Sequence, residues 1–137
     1  VTPKQAKNAI MQLYVDAVAS AHPVALPNQP FTPPVAGHGV VWTRIDVRLA
    51  TGGQDSLGAA GQRKFLRGGT VVVEVSTTNG DATNLNDDTA QAALVALDGV
   101  RVAADLWTDG GRVVTVGPDG EWYRQNAIIN VQFEETR

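Results

Sequence analysis

The chain has 137 residues, a mass of 14.5 kDa and a formal net charge of −3, with 43% apolar and 18% charged residues. That is the size of one domain with one ordinary hydrophobic core, and the apolar content excludes a highly charged disordered chain. Cysteine is absent, which excludes disulfides, thiol nucleophiles, Fe–S clusters and thiolate zinc sites. The acidic balance disfavours a nucleic-acid duplex as main partner, because phosphate neutralisation calls for a basic excess. The longest apolar run, Ala92 to Leu97, is far below the roughly 20 residues of a membrane span. The first residues carry no apolar leader segment, so no signal peptide is expected.

Thr2-Pro3 reads as a helix N-cap followed by proline at the first helical position. Ala6, Ile10, Leu13, Tyr14, Ala17, Val18 and Ala21 then recur at three- and four-residue steps, predicting an amphipathic helix that ends by His22, before Pro23. Residues 22–39 hold five of the seven prolines and predict an extended, stiff surface segment anchored by Leu26, Phe31 and Val35. Residues 40–49 alternate, with Val41, Thr43, Ile45, Val47 and Leu49 on the buried side of a strand. Residues 50–69 contain six of the 14 glycines and no clear period. They are read as a flexible arm, a hairpin reaching past the domain body that orders on assembly. Residues 70–76 give a second strand.

Asn86 is read as the cap of a second helix, with Asp87 and Asp88 favourably placed in its first turn and Gly99 ending it. Ala90, Ala93, Leu94 and Leu97 supply its core stripe. Ala92, Val95 and Ala96 leave its flanks unusually apolar, either for a neighbouring subunit or for cover by the proline-rich segment. Residues 102–107 alternate weakly. Asp109-Gly110-Gly111 reads as a turn, residues 112–117 as a strand, Pro118-Asp119-Gly120 as a hairpin turn and residues 121–133 as the closing strand. The expected class is α+β, a single domain over residues 1–137. Its sheet is antiparallel, mixed at most, with four to five strands and two helices on one face, in the order α-β-β-α-β-β.

Catalytic signatures are weak. His22 and His38 stand 16 residues apart without nearby carboxylates and read as exposed loop histidines. Asp87 and Asp88 point about 100° apart on a helix and suit capping better than shared chemistry. The glycine-rich stretches 51–55 and 58–64 do not match a phosphate loop, and no serine has a nucleophile-elbow context. No catalytic, cofactor-binding or metal-ligating residue is assigned.

Charge is more informative. Residues 44–67 carry five basic and two acidic side chains, and residues 74–121 carry nine acidic and two basic. Opposite surfaces of this kind suit a head-to-tail contact between subunits. Arg48, Arg63, Lys64 and Arg67, with Ala92, Val95 and Ala96 on the second helix, are the candidate contact residues.

A family resemblance rests on several stretches. They are Pro33-Pro34, Val41-Trp42-Thr43-Arg44, the run Gly61-Gln62-Arg63-Lys64-Phe65-Leu66-Arg67-Gly68-Gly69 before a valine strand, and the alanine-rich helix. Gly117-Pro118-Asp119-Gly120-Glu121-Trp122-Tyr123 and a closing strand with Asn126, Ile129, Asn130, Val131 and Phe133 complete it. Over nearly its whole length the chain resembles the tail terminator and tail-completion proteins of long-tailed bacteriophages. The resemblance implies a non-enzymatic virion protein, assembled in the host bacterial cytoplasm. It would form a homo-oligomeric ring, a hexamer in that family, that caps the tail tube and docks the head-side connector or stopper protein. It implies no membrane and no specific nucleic-acid binding, although DNA passes through such a ring. Another neck or tail component, such as a head–tail joining or tube-like protein, is the first alternative. A small ligand-binding module or hydrolase would require a pocket built from residues distant in sequence.

Overall fold

A computed structural model describes residues 1–54, 56 and 58–137. The element order is α1 (Pro3–Val18), β1 (Val24–Ala25), β2 (Val41–Gln54), β3 (Lys64–Thr78), α2 (Asn84–Leu97), β4 (Arg101–Ala103), β5 (Leu106–Asp119) and β6 (Trp122–Thr136).

The start of α1 is built as its sequence dictates. The Thr2 hydroxyl accepts the Gln5 N–H at 3.2 Å, and the Gln5 side chain accepts the Thr2 N–H at 2.9 Å, a reciprocal cap with Pro3 just inside. Ala6, Ile10, Tyr14 and Val18, four apart, form the buried stripe. In α2 the cap is Thr83, which makes no side-chain cap bond, and Asn86 lies inside the helix. Gly99 follows with φ of +67°, the left-handed geometry that glycine adopts without a Cβ penalty.

The strands form one mixed six-stranded sheet in the order β1-β2-β3-β6-β5-β4, parallel at β1/β2 and antiparallel elsewhere. This corrects the expected sheet of four to five strands and the expected order α-β-β-α-β-β. The observed order is α-β-β-β-α-β-β-β. The added strand β1 is two residues long, inside the proline-rich segment, and too short to carry a period. Asp109-Gly110-Gly111 is not a turn between strands. It is an irregularity within β5, where the register shifts between Asp109 and Arg112.

The glycine-rich segment is largely sheet. Residues 50–54 lengthen β2 and residues 64–69 lengthen β3, so the two form a long hairpin whose β3 arm pairs with β6 as far as Lys64↔Thr136. Asp55 and Leu57, which belong to the proposed arm, lie outside the described residues.

Both helices pack on one face of the sheet. Ile10, Tyr14, Ala93 and Leu97 meet Ile45, Val47, Val71, Val73, Ile129, Val131 and Phe133 in the main core. The odd-numbered β3 residues face the helices. The even-numbered ones, Thr70, Val72, Glu74 and Ser76, face the other side with Arg44, Asp46 and Arg48 of β2. A second cluster covers one end of that helix-free face. Trp42 packs beside Trp122 at 5.8 Å and beneath Phe31 of the proline-rich segment at 5.2 Å. Phe31 thus anchors the segment on Trp42, not on α2, while Val35, expected as a further anchor, is 89% exposed.

Candidate functional site: surfaces for assembly

The candidate contact residues do not form one patch. Arg48 lies on the helix-free face, paired with Asp46 at 3.0 Å. Lys64 shares that face at the far end of the hairpin, 4.0 Å from Glu134. Arg67 lies across from Phe133 on the helix-bearing face, half-buried and paired with Glu135 at 2.9 Å. Arg63 is half-buried too, and its backbone carbonyl accepts the Arg137 N–H at 2.8 Å. Arg137 also stacks over the Phe65 ring at 4.2 Å. The basic cluster of the sequence is therefore split between two faces and partly neutralised by Glu134 and Glu135 of β6. Alternation along a strand separates its neighbours, and pairing to β6 brings in acids about 70 residues away.

On α2, Ala92 is exposed, Val95 is 73% exposed and Ala96 is half-buried against the core. Nothing in the described chain covers Val95, so the flank is not satisfied internally. Leu66, Val113, Val114 and Val116 are further exposed aliphatic side chains, and the last three sit in β5. Sequence reading did not single out these three valines. The run Val113-Val114-Thr115-Val116 looks like any buried strand until its place at the side of the sheet is known.

His22 is buried, which corrects its reading as an exposed loop residue. Its Nε2 lies 3.0 Å from Thr43 Oγ1, and Tyr14 Oη lies 2.7 Å from the same oxygen. Burial pushes the Tyr14 hydroxyl up to about 12, against the opposing effect of its Thr43 hydrogen bond, and pulls His22 below its ordinary value. These groups lock α1 to β2 beneath the surface. His38 is exposed as expected and pairs with Asp81 at 3.1 Å. That bond and the Gly39 N–H hold the Asp81 carboxyl below its usual range.

The helix-free face carries a groove of about 330 Å3 lined by Asn28, Arg44, Asp46, Arg48, Val72 and Glu74. Beside it Arg124 pairs with Glu74 and, at 3.2 Å, with Asp119. Burial, and then Arg44, pull the Arg124 guanidinium below its ordinary value. These charges are engaged with one another. Among the described residues no three His, Asp or Glu side chains converge as a metal site, and no helix is long and apolar enough to cross a membrane.

No family model and no curated protein matches the chain. Twelve chains of solved structures do. One of them, whose name describes no activity, aligns over 95% of this chain and 96% of its own with a TM-score of 0.65 at 20% identity. At that identity the likeness concerns the fold alone.

Proposed function

We propose that this chain is a structural subunit of a bacteriophage tail. In this reading copies of it form a ring, a hexamer in the family it resembles, that caps the tail tube, ends tail assembly and docks the head-side connector. The observation that carries the proposal is the set of large aliphatic side chains left outside the core, Val95 on α2 and Val113, Val114 and Val116 on β5. Large aliphatic side chains left exposed in this number suit a site of association. The sequence resemblance supports the same reading from a different direction, since its stretches include the hairpin Pro118-Asp119-Gly120 and the β3 arm, both of which pair with β6.

The test is electron microscopy of particles assembled without this protein. Tails of uncontrolled length identify a terminator. Tails of normal length beside full, unattached heads would replace this role with head–tail joining. Normal, infective particles would reject a tail role altogether.

A further inference from the structure

The sheet ends on both sides in a stub. β1 pairs with β2 only at Thr43 and Arg44, and β4 pairs with β5 only at Leu106 and Trp107. Among the described residues, β2 from Ile45 to Gln54 and β5 from Arg112 to Asp119 thus have no strand on their outer side. An open edge offers unpaired backbone N–H and C=O groups, and monomeric proteins usually blunt it with charge, proline or a bulge. β5 carries one bulge before this stretch, between Asp109 and Arg112, and a second at Val116, between Thr115 and Gly117; the edge between them reads Arg112-Val113-Val114-Thr115, with Val116 in the second bulge. The three valines are 40%, 45% and 55% exposed. Val113 lies across from Ala127 on the helix-bearing side and Val114 across from Asn126 on the helix-free side. Both sides of this edge are therefore apolar.

We propose that the β5 edge docks antiparallel onto the β2 edge of a second copy of this chain, so that the sheet continues from subunit to subunit. This rests on the ring reading above and specifies its contact. Three observations favour that occupant. The first is direction. The β2/β3, β3/β6 and β6/β5 pairs are all antiparallel, so β2 and β5 run opposite ways. Copies set side by side in one orientation bring β5 antiparallel onto β2, with every helix on the same side. That is a head-to-tail contact, which repeats and can close into a ring.

The second is charge. β2 carries Arg44 and Arg48 against Asp46, whereas β5 carries Asp109 and Asp119 against Arg112. A strand of net negative charge then meets one of net positive charge, whereas β5 against β5 would pair two strands of the same sign. The third is the position of the stub. Thr115 stands level with Thr43 through Gln125 and Val75. β1 occupies Thr43 and Arg44, so an incoming β5 must slide at least two residues toward the hairpin to meet Ile45 and beyond. Stagger between strands is what a sheet needs in order to close on itself.

The absence of cysteine makes cross-linking clean. Val114→Cys, Asp46→Cys and Arg48→Cys all place the thiol on the helix-free face. Val114→Cys protein mixed with either of the other two and treated with a short bismaleimide should yield a cross-linked pair that weakens as salt rises. Each protein alone should yield little. Dimers from Val114→Cys alone would indicate β5 against β5 and overturn the proposal, as would the absence of both mixed cross-links. Val114→Lys, which sets a cation against the basic β2 edge, should shift the assembly midpoint about tenfold to higher concentration with an unchanged melting curve. Rings that persist in Val114→Lys without mixed cross-links would overturn this contact and leave the ring reading intact. A wild-type chain that stays monomeric at high concentration and low salt would overturn both.

Discussion

Tyr14 Oη and Thr43 Oγ1 lie 2.7 Å apart in the fully buried layer between α1 and β2. With His22 Nε2 at 3.0 Å from the same threonine oxygen, three polar side chains from α1, the segment after it and β2 partner one another. A buried polar group left without its partner costs about 1–3 kcal/mol. Thr43→Val should therefore destabilise the domain by about that much, although valine matches threonine in shape. Urea unfolding at neutral pH measures it.

The same cluster predicts a pH dependence. Burial lowers the His22 pKa, so the folded state binds its proton less readily than the unfolded chain does. The stability due to neutral His22 is complete above its unfolded value near 6.5 and is lost as pH falls below it toward the depressed folded value. The urea midpoint should drop between pH 7.5 and pH 5, above the range in which ordinary carboxylates titrate. His22→Gln should flatten the profile over that window. An equally steep profile in the variant would place the titrating group elsewhere.

Asn86 ties α2 to two strands. Its Nδ2 donates to Thr77 Oγ1 at 3.1 Å and to the Tyr123 carbonyl at 3.0 Å, with the Val75 carbonyl at 3.4 Å. If Asn86 merely capped the helix, Asn86→Ala would cost about 1 kcal/mol and Asn86→Ser would restore most of it. As a buried cross-link it should cost about 2–3 kcal/mol, and serine, too short to reach both strands, should not rescue it. Thermal melts of the two variants decide between the roles.

Gly69 permits the long hairpin. It pairs with Leu49 beside a register shift in β2, and a Cβ there would collide with the Arg48 carbonyl and come within 2.8 Å of Leu49 Cα. Backbone cannot move aside as a side-chain tip can. Gly69→Ala is expected to destabilise by about 1–3 kcal/mol. Gly53→Ala, with open space around its Cβ, is the control and should cost less.

Val95→Glu should leave the stability within the range of ordinary surface substitutions, about ±0.5 kcal/mol, because 73% of the residue is already exposed. If the α2 flank is part of the subunit contact, the same variant should fail to assemble. Sedimentation at matched concentration reads this outcome directly.

Lys64→Glu should weaken assembly more at low salt than at high salt, with little effect on folding, since Lys64 is exposed and 4.0 Å from its partner. Arg67→Glu should instead destabilise the domain, because it sets a carboxylate beside Glu135, which is only 12% exposed. Unfolding curves separate the two variants before any assembly is measured.

Local grammar was legible in the chain. Thr2-Pro3, the four-residue steps from Ala6 to Val18, the alternation of residues 40–49 and 70–76, and Pro118-Asp119-Gly120 each act within a few residues, where period and turn chemistry determine the backbone. α2 was legible as a helix, but its first turn was not. Asn86 is a favoured cap residue, and only the approach of β3 and β6 gives its amide a different task. For His22 the flanking prolines and the helix end pointed to a surface loop, and only the return of β2 at Thr43 buries it.

Two helices, the principal strands, a cysteine-free chemistry and the opposition of a basic to an acidic segment can be read from the residues alone. Which strands are neighbours emerges only in the folded chain. β3 lies between β2 and β6, β6 is reached across α2, and the two-residue β1 adds a parallel strand. That placement split the basic residues between two faces, paired Arg67 with Glu135, and turned a valine run that looks like core into an exposed edge. The physical reason is range. Periodicity records which face of an element is apolar, but the partner that covers it is chosen by contacts between residues far apart in the chain, whose signal no local window contains.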